Sequence, residues 1–150
     1  MTYQSTKQFG HELGLSCAFR QWKANSHCHF IHGYALSFKF VFQSEVLDSR
    51  HWVIDFGGLK ALKATLEEHF DHKLLVAKDD PAVDEICMLA GIGVADVRVV
   101  DRVGCEAFAH MGFTIAEEWL CDNGLHSRIS LVSCEVAEHG ANSAVYLGEN

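Results

Sequence analysis

Side chains that can do chemistry are concentrated in one short segment of this chain, from His27 to Tyr34. The segment reads His-Cys-His-Phe-Ile-His-Gly-Tyr and holds three imidazoles (His27, His29 and His32) and the Cys28 thiol within six residues. Imidazole and thiolate are the side chains that bind borderline-soft metals such as zinc. A thiol beside imidazoles is also typical of a nucleophile or a proton carrier. A polar loop that is merely rich in His is the alternative, but four such groups in six residues favour a functional site.

Weaker candidates lie elsewhere, and each also has a purely structural explanation. Asp71 precedes His72 at the end of a predicted helix, and a carboxylate there can hold an imidazole for acid/base work near neutral pH. A cation near a helix C-terminus is the structural alternative. Three further acidic residues lie at the ends of predicted elements, where capping or a turn would explain them: Asp55, Glu106 and Glu138.

The composition predicts one globular domain over residues 1–150, because 49% hydrophobic residues are enough for a core. A net charge of -8 argues against a nucleic-acid binder, which would need a basic face. We find no signal-like start and no apolar run long enough to cross a bilayer, so we expect no membrane partner and a cytoplasmic location. In that compartment the six cysteines are expected to be free thiols.

The hydrophobic pattern predicts an α+β domain. Residues 9–20 alternate as a half-buried strand does, and a second alternating strand begins near Ile31. The two strands are expected to form an antiparallel pair, with the His-rich segment in their connection at 21–30. Further strands are predicted at 52–56, 96–101, 127–137 and 144–147, and helices at 59–70, 83–90 and 104–121. This order of elements indicates helices on one face of an antiparallel sheet.

Several motifs, taken in order, resemble those of the 6-pyruvoyltetrahydropterin synthase and 6-carboxytetrahydropterin synthase family over nearly the whole chain. They are Leu15-Ser16-Cys17-Ala18-Phe19-Arg20, Cys28-x-x-x-His32-Gly33-Tyr34, the run from Trp52 to Lys60, the run from Phe70 to Leu75, Gly104-Cys105-Glu106, and Glu138 eight residues before Tyr146. The resemblance implies the tunnelling fold (T-fold), a four-stranded antiparallel sheet with two helices on one face. It also implies a homo-oligomer with sites at subunit interfaces. The stretch 76–102, acidic near Asp79 and Asp80, is longer than in compact members of the family.

The same resemblance implies a lyase that acts on a small reduced pterin. The most direct expectation is conversion of 7,8-dihydroneopterin triphosphate to 6-carboxytetrahydropterin, on the route to 7-deazaguanine compounds such as queuosine. Pyruvoyl formation, side-chain cleavage and epimerisation stay open as alternatives. Cys28 falls on the family's catalytic cysteine, and Asp71 and His72 fall on its Asp-His pair, so these three residues are the expected proton carriers.

Three other positions correspond to the family's pterin-binding residues. Glu138 falls on the glutamate that holds the amino and ring-nitrogen donors of the pterin. A carboxylate suits such a guanidine-like edge because it accepts two parallel hydrogen bonds. Cys105 and Glu106 fall on a Ser/Thr-Glu pair that also lines the pterin pocket.

The metal site of the family is where this chain departs most. The three positions of its zinc ligands are occupied here by Phe19, His32 and Tyr34, and a Phe cannot bind zinc. We therefore expect Zn²⁺ in a rebuilt open site of His27, His29 and His32, because alternate residues of an extended loop point the same way. In the alternative, Phe19 and Tyr34 fill the site, and the chain is a pterin-binding protein that has lost its catalytic metal.

Overall fold

A computed structural model describes residues 1–149 and contains, over that range, a mixed sheet of seven strands with three helices. The strands are β1 (Tyr3–Phe9), β2 (Leu15–Phe19), β3 (His32–Ser44), β4 (Lys73–Ala77), β5 (Asp96–Val100), β6 (Ser130–His139) and β7 (Asn142–Leu147). The helices are α1 (Lys60–Phe70), α2 (Val83–Gly91) and α3 (Cys105–Asp122). The strand order is β5-β4-β2-β3-β6-β7, and β1 also pairs with β3.

Strand β3 organises the sheet. It is antiparallel to β1 and β2 along one edge and to β6 along the other. The side chains of Leu36, Phe38, Phe40 and Phe42 alternate along it and are fully buried. This period of two is what the sequence predicted, since one face of such a strand packs on the core.

The strand predicted over residues 9–20 is interrupted in the structure. A short 3₁₀ turn, His11–Leu13, separates β1 from β2, and Gly14 follows it with a φ of 66°. Glycine adopts this left-handed conformation at little cost. Four positions of the predicted face are nevertheless buried: Phe9, Leu15, Cys17 and Phe19. The prediction of one continuous strand was wrong. The alternation of buried and exposed residues continues on both sides of the turn, so it could not reveal the break.

The predicted strand at 52–56 is also wrong. Residues Phe56–Leu59 form a 3₁₀ turn, and the Asp55 carboxylate caps it by accepting a hydrogen bond of 2.9 Å from the Gly57 backbone N–H. Asp55 therefore has the structural role of a turn residue.

The long stretch that follows α1 adds a parallel unit, β4-α2-β5, to the edge of the sheet. Strand β4 pairs in parallel with both β2 and β5. Leu75 and Ala77 of β4 face the main core, whereas Leu74 and Val76 pack with Ile86 of α2 on the opposite face. A strand buried on both faces is continuously apolar, which is why alternation did not reveal β4. The expected four-stranded antiparallel sheet is thus larger and partly parallel.

Helices α1 and α3 lie on one face of the sheet, as predicted. α1 buries Leu62, Leu66 and Phe70 against it. α3 approaches so closely at Gly112 that a β-carbon there would be 2.9 Å from Cys134 Sγ and 3.0 Å from the Phe38 ring. Over residues 1–149, the helices are too short or too polar to span a bilayer.

Candidate functional site

Three aromatic rings lie together at the end of the β2–β3 pair. Phe19, the last residue of β2, is paired with His32, the first residue of β3, and Tyr34 follows two residues later. Ring centroids are separated by 5.4 Å for Phe19–His32, 5.3 Å for His32–Tyr34 and 6.1 Å for Phe19–Tyr34. Phe108 of α3 packs edge-on against Phe19 at 5.0 Å. We call Phe19, His32 and Tyr34 the aromatic triad.

Three ionisable side chains lie in the neighbourhood of Tyr34. Burial raises the pKa of Tyr34 most, and the nearby Glu138, Cys28 and Cys105 raise it further. Charges act in this way only over short distances. The structure therefore brings Cys28 into the same neighbourhood as Glu138 and Cys105, although the loop, the sixth strand and the third helix that carry them are distant in sequence.

Cys105 is a neutral hydrogen-bond donor in this neighbourhood. It is buried at the start of α3, and burial, reinforced by the charges of Glu138 and Glu106 and a hydrogen bond with Glu138, raises its pKa to about 12. A carboxylate has about four acceptor sites. Glu138 therefore keeps acceptor sites for a ligand.

Glu106 is exposed in the first turn of α3, where a carboxylate suits the helix dipole. Its side chain lines a cavity of about 670 Å³ together with His69 of α1, His110 of α3 and Tyr146 of β7. Glu106 thus follows Cys105 in the chain, but its side chain faces a cavity whose lining residues do not include Tyr34.

Asp71 and His72 form a hydrogen-bonded pair on the other side of β2. His72 Nδ1 donates to Asp71 Oδ1 at 2.9 Å, and the same oxygen accepts from the Ser16 backbone N–H at 3.0 Å. The His72 side chain is 82% exposed, and the Asp71 bond fixes which ring nitrogen carries the proton. The pair lies on the β4 side of β2, whereas Tyr34 lies on its β3 side. Within residues 1–149, no hydrogen bond or ion pair joins it to Cys28.

The loop that carries Cys28 is curled rather than extended. Residues His27–His29 form a 3₁₀ turn, which the Ser26 side chain caps at the Cys28 backbone N–H. The premise of the predicted zinc site was an extended loop, and that premise is wrong. Alternate residues of such a turn do not share a face.

Two of the three imidazoles of this segment make contacts with other groups, and those of His29 use both ring nitrogens. His29 Nδ1 donates to the Trp22 carbonyl at 3.0 Å, and His29 Nε2 faces Arg20 Nη1 at 3.4 Å, so neither nitrogen is left for a metal. His32 Nδ1 contacts the Phe30 carbonyl at 2.7 Å.

The residues present therefore do not fit the expected zinc ion. Among residues 1–149, no group of three or more His, Cys, Asp or Glu side chains is arranged to hold a metal ion. His27 is exposed, away from the aromatic triad that contains His32. The positions that correspond to the other two ligands of the family are filled by the rings of Phe19 and Tyr34; Phe19 packs tilted against His32, and Tyr34 packs edge-on against it.

Arg20 and Asp80 are two residues that the sequence interpretation missed. Arg20 Nε and Nη2 donate to the two Asp80 oxygens at 2.8 and 2.6 Å, and Asp80 is 2% exposed. A lone Arg directly after a buried strand, together with the acidic residues of the long stretch, was the available signal. The partner could not be assigned because 60 residues separate the two.

Comparison with known proteins identifies relatives of this fold. The family model described as 6-pyruvoyl tetrahydropterin synthase matches residues 10–149. No curated protein is significantly similar to the chain. An uncharacterized protein from Wolinella succinogenes superimposes with a TM-score of 0.78 and 19% identity over 99% of each chain.

Two solved enzymes are also similar. A catalytic-residue mutant of Plasmodium vivax 6-pyruvoyltetrahydropterin synthase gives a TM-score of 0.70 at 14% identity over 97% of each chain. Caenorhabditis elegans 6-pyruvoyl tetrahydropterin synthase gives 0.61 at 16% identity over 99% of this chain and 96% of that one. At such identities the structures show a shared fold, and they confirm the predicted α+β class.

Proposed function

This chain belongs to the 6-pyruvoyl tetrahydropterin synthase family, and from that premise we propose that it binds a reduced pterin and processes it by lyase-type chemistry. The observation that carries the proposal is that Glu138, Cys28 and Cys105 all lie near enough to Tyr34 to raise its pKa. A carboxylate for recognition and a thiol for proton transfer are the groups that such chemistry needs.

Recognition is assigned to Glu138. Its carboxylate accepts two parallel hydrogen bonds from the amino group and ring N–H of the pterin. The Cys105 thiol stays protonated because burial and the nearby Glu138 raise its pKa to about 12, so it adds no charge beside the carboxylate. Glu106, in the next position of α3, would contribute a second acceptor at the edge of the pocket.

Proton transfer is assigned to Cys28 and to the Asp71–His72 pair. Cys28 lies beside Tyr34, so it can reach a substrate side chain that extends from a pterin held at Glu138. Asp71 accepts a hydrogen bond from the Nδ1–H group of His72. Nε2 of the exposed imidazole is therefore the nitrogen that can act as a base. The pair lies across β2 from Cys28, so it would reach the substrate of a neighbouring subunit.

A homo-oligomer would supply that neighbour. Within residues 1–149, β1 pairs only with β3, and β7 pairs only with β6, so each presents one unpaired edge. Unpaired edges join strands of another chain readily. The six cysteines are all free thiols, which fits the reducing cytoplasm that we propose as its location.

No step is assigned to zinc. When bound in such a site, zinc polarises substrate oxygens, but Phe19 offers it no ligand. Tyr34 stands at another ligand position with a raised pKa, so its hydroxyl is protonated at neutral pH. It can therefore donate a hydrogen bond to a substrate oxygen.

Two outcomes are distinguished by experiment. The first is conversion of 7,8-dihydroneopterin triphosphate to 6-carboxytetrahydropterin. The second is a pterin-binding protein without turnover, which the aromatic triad favours because it fills the ligand positions. Purified protein of measured metal content is incubated with the triphosphate, and products are identified by mass spectrometry. A new pterin product that depends on Cys28 supports the enzyme, and tight binding without product supports the binding protein. If the protein neither forms a product nor binds the pterin, both alternatives are refuted.

A further inference from the structure

The loop between β2 and β3, which carries Cys28, belongs to no strand. Its internal backbone bonds are Gln21 N–H to the Cys28 carbonyl at 3.0 Å and three turn bonds, from Ala24 to Gln21, from His29 to Ser26 and from Phe30 to His27, each also at 3.0 Å. Trp22 near its start packs against the core, whereas Phe30 at its far end is 69% exposed. These contacts shape the loop, but they leave the segment around Cys28 to be held by contacts with another part of the molecule.

That other part is the β4-α2-β5 unit, and the contact is the Arg20–Asp80 pair. The Asp80 side chain is 1% exposed and accepts from Arg20 at two oxygens, at 2.6 and 2.8 Å. It also accepts at 2.8 Å from the Ala82 backbone N–H, so the turn before α2 holds the carboxylate in place. A bidentate Arg–carboxylate pair combines strength with a fixed geometry. Asp80 therefore fixes the orientation of the guanidinium.

Arg20 transmits this orientation to the loop. Its Nη1 donates to the His29 carbonyl at 3.3 Å and faces His29 Nε2 at 3.4 Å. His29 Nδ1 in turn contacts the Trp22 carbonyl at 3.0 Å. A neutral imidazole protonated on Nδ1 satisfies both contacts, since it donates to Trp22 and accepts from Arg20. These contacts thus join the start of the loop, at Arg20 and Trp22, to His29, which is the residue next to Cys28.

We propose that Arg20 and Asp80 are positioning residues that hold the Cys28 thiol beside Tyr34, and that the β4-α2-β5 unit exists in this chain partly to supply the acid. The role in turnover rests on the proposed function, whereas the positioning of the thiol does not. Neither residue touches the groups around Tyr34 directly, so both act through His29 and the loop backbone.

The test measures the alkylation rate of each cysteine by iodoacetamide, read by mass spectrometry of the separate peptides. In Asp80→Asn the shape is kept, but the charge and the strong bidentate bond are lost. The loop should open more often, and Cys28 should react about 10- to 100-fold faster, the equivalent of losing a charged hydrogen bond. Exposed Cys121 should react at an unchanged rate, and buried Cys134 should stay protected.

Asp79→Asn is the matched control. Asp79 is the neighbouring acid, but it is 53% exposed and makes only surface contacts with Lys23 at 3.5 Å and Trp22 Nε1 at 3.3 Å. Its replacement should change the Cys28 rate by less than about threefold, as surface pairs contribute little. A milder variant, Arg20→Lys, keeps the positive charge but cannot donate two parallel hydrogen bonds to Asp80. It should raise the alkylation rate of Cys28 without exposing Cys134.

Two results would overturn the proposal. An unchanged Cys28 rate in both Asp80→Asn and Arg20→Lys would show that the pair does not hold the loop. Equal rises for Cys28 and Cys134 in both variants would show that the pair merely supports the whole fold. With an active wild-type protein, kcat should fall by up to about 100-fold with KM nearly unchanged, because the thiol is misplaced. If the wild type binds no pterin, the proposed function fails, but the alkylation rates still decide the positioning role.

Discussion

Replacing Phe19 and Tyr34 by histidine should create a zinc site around His32. The three ring centroids of the aromatic triad are 5.3, 5.4 and 6.1 Å apart. Three imidazoles that bind one zinc ion at Zn–N distances of about 2.0–2.1 Å have centroids roughly 5 Å apart. The backbone therefore already presents three rings at nearly the required spacing. The Phe30 carbonyl holds His32 Nδ1, which leaves Nε2 for the metal.

The size of the effect follows from burial and mass action. Phe19 is 4% exposed. Its replacement by the smaller, polar imidazole should cost about 2–4 kcal/mol of unfolding free energy, less than the 3–5 kcal/mol of truncation to Ala. Binding of zinc at about 100 times its Kd should raise the free energy of unfolding by about 2.7 kcal/mol. For a chain of this length, that corresponds to a rise in Tm of about 5–11 °C.

The assay compares Tm and metal content of chelator-treated proteins with and without added zinc. Phe19→His/Tyr34→His should bind one zinc ion per chain and show the rise, while the wild-type chain shows neither. Adding His32→Ala to the double variant is the matched control and should abolish both. A wild-type chain that retains one zinc ion per chain and gains the same Tm would refute the conclusion that the triad fills the metal position.

Three further predictions concern turnover, pH and assembly. Cys28→Ala and His72→Ala should each lower product formation by about 10²–10⁴-fold, and full activity in both variants would remove their catalytic assignment. The free energy of unfolding should fall as pH rises from 9 towards 12, because burial raises the pKa of Cys17 and Cys105 from 9.0 to about 12 and keeps both thiols protonated in the folded state. Denaturant titrations at several pH values should show a shallower fall in Cys17→Ala than in the wild type. An identical fall would contradict this cause. Light scattering should give a mass several times that of one subunit, and a strictly monomeric protein would contradict the placement of the site between subunits.

The sequence was most informative where hydrophobic periodicity reflects burial. The period of two along β3 and the apolar stripes of α1 and α3 correspond directly to the faces that pack together. It failed where a local pattern has no unique structure. The continuous apolar run of β4 gave no period to detect, and the positive φ of Gly14, which separates β1 from β2, leaves the alternation intact.

The candidate site shows the same division. Cys28, Cys105 and Glu138 were singled out from motifs, and the structure brings the three side chains into the neighbourhood of Tyr34. The zinc ligands stay a prediction, but the extended loop on which they were based is wrong, because local sequence does not determine the loop conformation. That conformation depends on Asp80, which is 60 residues from Arg20 in the chain and enters through the β4-α2-β5 unit. Long-range ion pairs of this kind leave no periodic signal.

The central claim is that Glu138 anchors a pterin in a pocket that needs no metal, and the most direct measurement is pterin affinity of metal-free protein. Chelator-treated protein is titrated with 7,8-dihydroneopterin in a calorimeter. Wild-type protein should bind, and Glu138→Gln should lose about 1–3 kcal/mol of affinity because one acceptor and the charge are gone. Glu45→Gln, at an exposed position just after β3, is the control and should bind like wild type. Binding that appears only after zinc is added, or that is equal in Glu138→Gln, would contradict the claim.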